Sequence, residues 1–324
     1  MRRLIECVPN FSEGRRLEVV DALADEVTAT PGVHLLDRTS DPDHNRSVLT
    51  FAGPPLPVTE AMERMVGIAL GRIDMERHAG QHPRMGAVDV IPFVPLGETS
   101  IDEAVTLAGG FAERIAERYA LPVYLYAMAA TRPERRILAD VRRPQYEGLK
   151  ALIAEDPDRA PDFGPRRLHP TGGAVAVGAR PFLIAYNLNL ASDDVGLAKR
   201  IAGAVRERGG GLPRVQALGL YLDDLRCAQV SMNLLDHAIT PIWQVWERVR
   251  DLAAAEGVEL RESELIGLAP LAALTEVADH IGVDPGKPEP ARITEAAAWL
   301  RIRDFEPTKA LELRLVRAEG GGDV

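Results

Sequence analysis

The chain has 324 residues, 46% of them hydrophobic and 27% charged, the balance of a globular protein with length enough for two domains. Its formal net charge of -10 argues against a nucleic-acid binder, which needs a basic surface. Only Cys7 and Cys227 are present, far apart and both inside apolar runs, so neither a disulfide framework nor a zinc pattern is on offer. The basic start Met1-Arg-Arg leads into an apolar run that stops at Pro9-Asn10, too short for a signal-peptide core. No stretch approaches the roughly 20 apolar residues of a membrane span, which makes the cytoplasm the expected compartment.

Leu4 to Phe11 reads as a strand. Leu17, Val20, Leu23, Ala24 and Val27 recur at helical spacing over 15–29, closed by Pro31-Gly32. Strands follow at Val33 to Asp37 and Ser47 to Ala52, joined by a loop rich in Asp, Pro and Asn. A second helix covers 57–72, with Val58, Ala61, Met62, Met65, Ile68 and Ala69 on one stripe. A loop with two histidines then leads into a strand at 87–94. Beyond it come a helix at 101–119, a strand from Val123 to Tyr126, and weaker helices near 133–140 and 145–154.

Residues 155–173 are dense in Pro, Gly and Asp and read as a long loop. A linker has that composition, as does an ordered functional loop. The pattern then restarts: strand 182–190, helix 193–207, strands 215–222 and 227–235 around Asp223-Asp224, helix 240–255, strand 258–266. Gly209-Gly210-Gly211 follows a helix and precedes a strand, which marks a helix stop rather than a phosphate cradle. Helices at 270–281 and 290–301 close the chain, and the Gly-rich run from Glu319 is a fraying tail.

Both halves thus read β-α-β-β-α-β. The expected fold class is α+β: two ferredoxin-like lobes, 1–180 and 181–324, with the boundary near 178–181. In such lobes helices cover one sheet face and leave the other bare, and alternation assigns side chains to each. Ile184, Tyr186, Leu188 and Leu190 take one face, Asn187 and Asn189 the other; Gln229, Ser231 and Asn233 alternate with Val230, Met232 and Leu234. Glu6 and Asn10 are in step on the first strand, Arg46 and Thr50 on the third. Asn is poor strand material, so Asn10, Asn187, Asn189 and Asn233 point to polar faces lining a substrate channel between lobes. A solvated outer face would alternate in the same way.

The densest chemistry lies in His78-Ala-Gly-Gln-His82-Pro83-Arg84-Met-Gly86-Ala-Val-Asp89. A histidine fixed by Pro83 and Gly86 at the mouth of a strand is a candidate general acid/base, since imidazole exchanges protons near neutrality. His78 and His82 also form His-x-x-x-His, with Asp74, Glu76 and Asp89 nearby. Gly80 and Pro83 disfavour the helix a metal pair would need, and no Glu follows His78. Arg46 and Arg84 are candidate carboxylate anchors, because guanidinium pairs bidentately with such groups. No Walker loop, dinucleotide fingerprint or nucleophile elbow occurs, and Ser231 lies in a strand.

The His78–Pro95 run, with Glu6-Cys-Val-Pro-Asn10-Phe-Ser-Glu-Gly14 and Asp43-His-Asn45-Arg46-Ser-Val-Leu-Thr-Phe51, resembles the formiminotransferase family. The likeness extends through Ala160-Pro-Asp-Phe163-Gly164, Ala185-Tyr-Asn-Leu-Asn189 and Val230-Ser-Met-Asn233-Leu-Leu-Asp236, from Leu4 to about Leu271. It implies transfer of a formimino group from formiminoglutamate to tetrahydrofolate in histidine breakdown, with tetrahydrofolate as co-substrate. It places the catalytic histidine at His82 and folate contacts at Phe163, Gly164, Gly172 and Gly173. His169 between them is a second titrating group or a plain loop residue. Animal-type members carry an acid near position 39; Thr39 stands here, leaving Asp37 and Asp41 as alternatives to orient the imidazole. The resemblance also implies a homodimer, and transfer alone, since the chain stops before any helical cyclodeaminase extension. A formyl donor in place of formimino, a folate-binding protein without turnover, and a metal hydrolase are the rival readings.

Overall fold

The computed structural model describes residues 2–320, and the chain divides into two compact units between Arg180 and Pro181. In the first unit the strand expected at 4–11 is two pieces, β1 (Arg3–Cys7) and β2 (Asn10–Phe11). Pro9 interrupts them because it has no N–H for the ladder, though its carbonyl still accepts the Leu49 amide at 3.2 Å. Helix α1 (Leu17–Thr28) follows, then β3 (His34–Asp41), β4 (Arg46–Gly53), α2 (Pro55–Arg72) and β5 (Val88–Gly97). Helix α3 (Ile101–Tyr119) opens with a reciprocal cap: Ser100 Oγ accepts the Glu103 amide, and the Glu103 carboxylate accepts the Ser100 amide at 2.8 Å.

The remaining strands of this unit are β6 (Val123–Ala127) and β7 (Val175–Ala179), the latter absent from the sequence expectation. Between them lie two short helices, α4 (Leu138–Arg142) and α5 (Gln145–Leu152). The seven strands run β3, β4, then β1 with β2, then β5, β7 and β6. Pairing is antiparallel up to β5 and parallel for β5–β7 and β7–β6.

Directly opposed residues share a sheet face. On one face, Ile5, Cys7, Phe11, Leu49, Phe51 and Phe93 are fully buried beneath α1, α2 and α3. Asn10 opposes Val48 and Val90, Asp41 opposes Arg46, and Asp37 opposes Thr50, so all of these lie on the other face. That face was expected to be bare throughout. Instead α4 and α5 cover its β5–β7–β6 end, where Val141, Leu149 and Ile153 bury against Val90, Tyr124 and Tyr126. Among the described residues of this unit, the β3–β4–β1 end of that face carries no helix.

The 155–173 loop is ordered by buried charge. Arg135 donates to the Asp162 carboxylate and the Ala160 carbonyl, and its guanidinium lies 5.1 Å above the Tyr124 ring. Asp162 also accepts the Leu125 amide at 2.8 Å, and both side chains are under 10% exposed. Asp162→Ala would strand the Arg135 charge, so denaturant unfolding should show a loss of about 3–5 kcal/mol. Near-parental stability would mean that water replaces the carboxylate.

The second unit holds β8 (Ile184–Leu190), α6 (Val195–Val205), β9 (Val215–Leu222), β10 (Cys227–Leu234), α7 (Ile242–Ala255) and β11 (Leu260–Ile266). Its sheet is antiparallel throughout, in the order β11-β8-β10-β9. The first and third strands are neighbours, as their alternation requires. Ile184, Tyr186, Leu188 and Leu190 bury against α6 and α7. Gly209-Gly210-Gly211 is a stop and turn: Gly210 has φ +81, and a Cβ on Gly211 would run into the Val205 carbonyl. Helices α8 (Leu271–His280), α9 (Glu289–Trp299) and α10 (Leu311–Ala318) complete the unit. Residues 301–303 attach to β11 through Ser263, which donates to Arg301 O at 2.8 Å and accepts from Arg303 N at 2.9 Å. Of the tail expected to fray, Glu319 and Gly320 follow α10, and the rest lies outside the described residues.

Candidate functional site

The loop between α2 and β5 carries His82, and three neighbours fix it. On one side its Met75 and Ala87 amides donate to the carbonyls of Thr171 and Gly172, at 2.8 and 2.9 Å. Gly86 and Gly173 pair there as a β-bridge. On the second side Asn45, at φ +47, spans two segments: its Oδ1 accepts the Gly14 amide and its Nδ2 donates to Ala79 O. Ser12 Oγ donates to Gly86 O at 2.7 Å. On the third side the Arg84 fork closes on Glu147 of α5 (3.0 and 2.6 Å), and the Tyr146 amide donates to Arg84 O at 2.9 Å. The three N-terminal sequence motifs thus meet at one end of the first sheet.

His78 is a strut in this frame. A carbonyl can only accept, so Nε2 donates to Asn45 O at 3.0 Å, which leaves Nδ1 to accept from Arg84 Nε at 3.2 Å. That fixes the neutral tautomer, and burial lowers its pKa below the usual imidazole value. The ring is therefore occupied on both nitrogens, and Arg84 is spent on Glu147 and His78.

His82 is held differently. Its Nδ1 donates to its neighbour's carbonyl, Pro83 O, at 2.7 Å, so in the neutral ring Nε2 carries the lone pair. The His44 ring stands edge-on to it, centroids 5.9 Å apart. Burial, then the Arg46 charge, then the Arg142 charge push the His82 pKa down to about 4, with Asp89 opposing them. Asp89 is the carboxylate acting most strongly on His82, and the Nδ1 hydrogen bond goes to Pro83 rather than to Asp37 or Asp41. Asp41 instead accepts the amides of His44 (2.8 Å) and Asp43 (2.9 Å), and its pKa is lowered chiefly by the first. Thr39, opposite Val48, completes that strand face.

Arg46 is half-buried; burial and the Arg142 charge lower its pKa to about 10. Arg142 from α4, which the sequence reading did not single out, forms an ion pair with the almost fully buried Asp89. Asp89 Oδ1 accepts the Met85 amide at 2.9 Å. The charges around His82 are therefore two guanidiniums and one buried carboxylate, an environment that favours an anion.

The other expected residues are built in more tightly than the sequence indicates. Asn10 Nδ2 donates to Val8 O at 3.0 Å and bridges the break between β1 and β2. Phe163 O accepts the Val123 amide, and Gly164, at φ +85, packs where a Cβ would meet the Leu121 carbonyl. At Gly172 a Cβ would meet the Leu70 side chain, and at Gly173 (φ +69) the Met85 carbonyl. The close approach these glycines permit is to the chain's own atoms. His169 accepts the Gly172 amide on Nδ1 at 3.0 Å, and burial lowers its pKa.

In the second unit the expected amides meet on one face of the sheet. Gln229 opposes Asn189 and donates to its Oδ1 at 2.9 Å; Ser231 opposes Asn187. Asn189 Nδ2 donates to Glu262 and Asn187 Nδ2 to Glu264, with Arg303 pairing to both carboxylates at 3.2 and 2.7 Å. Asn233 opposes Ala185 and Gln216 further along. The sequence reading passed over Glu262 and Glu264, although they alternate with Ser263 as the asparagines do with Leu188.

Among the described residues no helix is long and apolar enough to cross a membrane. The model of the formiminotransferase domain, N-terminal subdomain, matches residues 4–180, and that of the formiminotransferase domain matches 185–285. A glutamate formimidoyltransferase of Thermoplasma acidophilum is 44% identical over 317 residues, covering 97% of this chain and 98% of the relative. One of Streptococcus pyogenes is 44% identical over 280 residues, 86% of this chain and 93% of the relative. The formimidoyltransferase-cyclodeaminase of Rattus norvegicus is 44% identical over 284 residues, 86% of this chain but 52% of the longer relative. With both of its units matched in order and most of its length shared with these relatives, the chain belongs to the formiminotransferase family.

Proposed function

We propose that the chain transfers the formimino group of N-formimino-L-glutamate to N5 of tetrahydrofolate, with His82 carrying the proton. The observation that carries this reading is a neutral imidazole with its free Nε2 beside two guanidiniums, in a chain 44% identical over nearly its full length to a glutamate formimidoyltransferase. In the first step N5 attacks the formimino carbon, a C–N bond forms, and the N5 proton passes to His82 Nε2. In the second the tetrahedral adduct collapses: the bond to the glutamate nitrogen breaks and His82 returns the proton to that nitrogen. One imidazole serves both steps, and positioning of two bound substrates supplies much of the remaining acceleration. Arg46 anchors a substrate carboxylate in this scheme. In the second unit the partly exposed Asn187 and Asn233 offer hydrogen bonds to the folate, and Asn189, buried and held by Gln229 and Glu262, contributes by supporting that face.

The strand orders support reading each unit as a ferredoxin-like lobe: in both, the edge-to-edge order of the four core strands is fourth, first, third, second. Two free, buried cysteines suit a reducing compartment, the cytoplasm in our reading.

The test mixes protein, tetrahydrofolate and formiminoglutamate and follows 5-formiminotetrahydrofolate as its acid-generated methenyl absorbance. Absorbance that requires the formimino donor supports the reading. Absorbance from N-formylglutamate alone replaces it with formyl transfer, and bound folate with no product from either donor replaces it with a binding protein.

A further inference from the structure

The Arg142 guanidinium reaches its ion pair with Asp89 from α4, a helix of five residues that exists only as part of the cover over β5 and β7. Nη2 of Arg142 and Oδ2 of Asp89 meet in that pair, whereas Nε of Arg142 and Nε of Arg46 are shielded from solvent and make no hydrogen bond. Buried donors of this kind cost stability unless something accepts from them. The two guanidiniums repel each other; Asp89 is their buried countercharge, and Asp41, which also acts on Arg46, is exposed and weakened by solvent. The buried part of the cluster thus sets two guanidiniums, each with an unpartnered Nε, against one carboxylate, and both guanidiniums act on the His82 ring. A carboxylate suits these donors by charge and by its capacity to accept from guanidinium N–H groups.

We propose that Arg142 joins Arg46 in a seat for a substrate carboxylate, and that filling this seat turns His82 into a working base. The inference rests on the assignment of His82 as proton carrier. Without a bound carboxylate, the charges acting most strongly on His82 are Arg46 from β4 and Arg142 from α4, with Asp89 from β5 opposing them, and the ring also meets the His44 ring and the Pro83 carbonyl. The ring is then neutral but a feeble base, poorly matched to accept a proton at pH 7. A bound carboxylate offsets the surplus charge, so the basicity of Nε2 rises only when substrate is in place.

The experiment is NMR titration of the histidine side chains in the whole protein, with the His82 signal identified by its loss in His82→Gln. L-glutamate, the product and a simple dicarboxylate, is the probe. In the free protein His82 should remain neutral down to pH 5; saturating L-glutamate should raise its midpoint by about one unit or more. Arg142→Gln should raise the midpoint without ligand and lose most of the further response. Arg142→Lys retains the charge and should keep the low midpoint, which separates charge from any damage to folding. A free-protein midpoint near 6.5, no binding of L-glutamate by calorimetry, or bound L-glutamate with an unmoved His82 would each overturn the seat. The transfer assay stands apart: an unproductive protein that still shows the glutamate-dependent shift keeps the seat and loses the transfer reading.

Discussion

His82→Ala should lower kcat/KM for formiminoglutamate by about a thousandfold, within the 10²–10⁴ range of a lost general acid/base, and leave folate binding in place. The ring contributes little to folding, because it is half-buried and its one hydrogen bond is to the adjacent residue's carbonyl. Thermal unfolding at pH 7 should therefore shift by no more than about 0.5 kcal/mol. The acid side gives a second readout. The folded ring has its pKa lowered from 6.5 to about 4, so between those values the unfolded chain binds more protons than the folded one. Stability then falls as pH drops through that window, and His82→Ala should remove this share of the fall. A variant that keeps more than a tenth of parental activity would move the proton carrier elsewhere, with His44, whose Nδ1 is buried without a partner, the first alternative.

What could be read from the sequence follows from how each element is buried. Helices α1, α2 and α3 bury one face each, so their 3.6 period was plain, and the paired strands β8 and β10 alternate because only one of their faces is apolar. The strand β7 was missed for the opposite reason. Val175-Ala-Val-Gly-Ala179 lies between two parallel partners with all five residues buried, so it shows no alternation, and its small residues merge with the preceding loop. The three motifs around His82 were legible as chemistry because each is a dense run of polar residues bounded by Gly and Pro. Arg142 was not: one arginine in a five-residue helix has no spacing to mark it, and its meaning comes from α4 folding over β5. Arg303 is likewise placed by a tertiary contact, the bridge between Ser263 and Ile302. Glu262 and Glu264, by contrast, carried a readable signal, the same period of two that exposed Asn187 and Asn189.

The largest effect on both stability and turnover from a single methyl group is expected at Gly86. A Cβ there would run into the carbonyl oxygens of Ala174 and Gly172, backbone atoms of the strand-like segment that pairs with the histidine loop. Neither can move alone, because Gly172 O accepts the Ala87 amide and the Ala174 amide donates to Met85 O. The loop must lift away from 172–174, at a cost of about 3 kcal/mol or more from overpacking. For the 180-residue first unit that corresponds to a fall in Tm of roughly 6–12 °C. Movement of the loop by even an ångström also carries His82 away from its charged neighbours, which should lower kcat/KM by about a hundredfold in the fraction still folded. Gly71→Ala, in the last turn of α2 with nothing near its Cβ position, is the matched control. It should leave activity intact and raise stability by about 0.5 kcal/mol, since a helical glycine is less favourable than alanine. If Gly86→Ala matches Gly71→Ala in both Tm and turnover, the glycine contact is not what anchors the loop. The burden of holding His82 in place would then fall on the Arg84–Glu147 clasp on its other side.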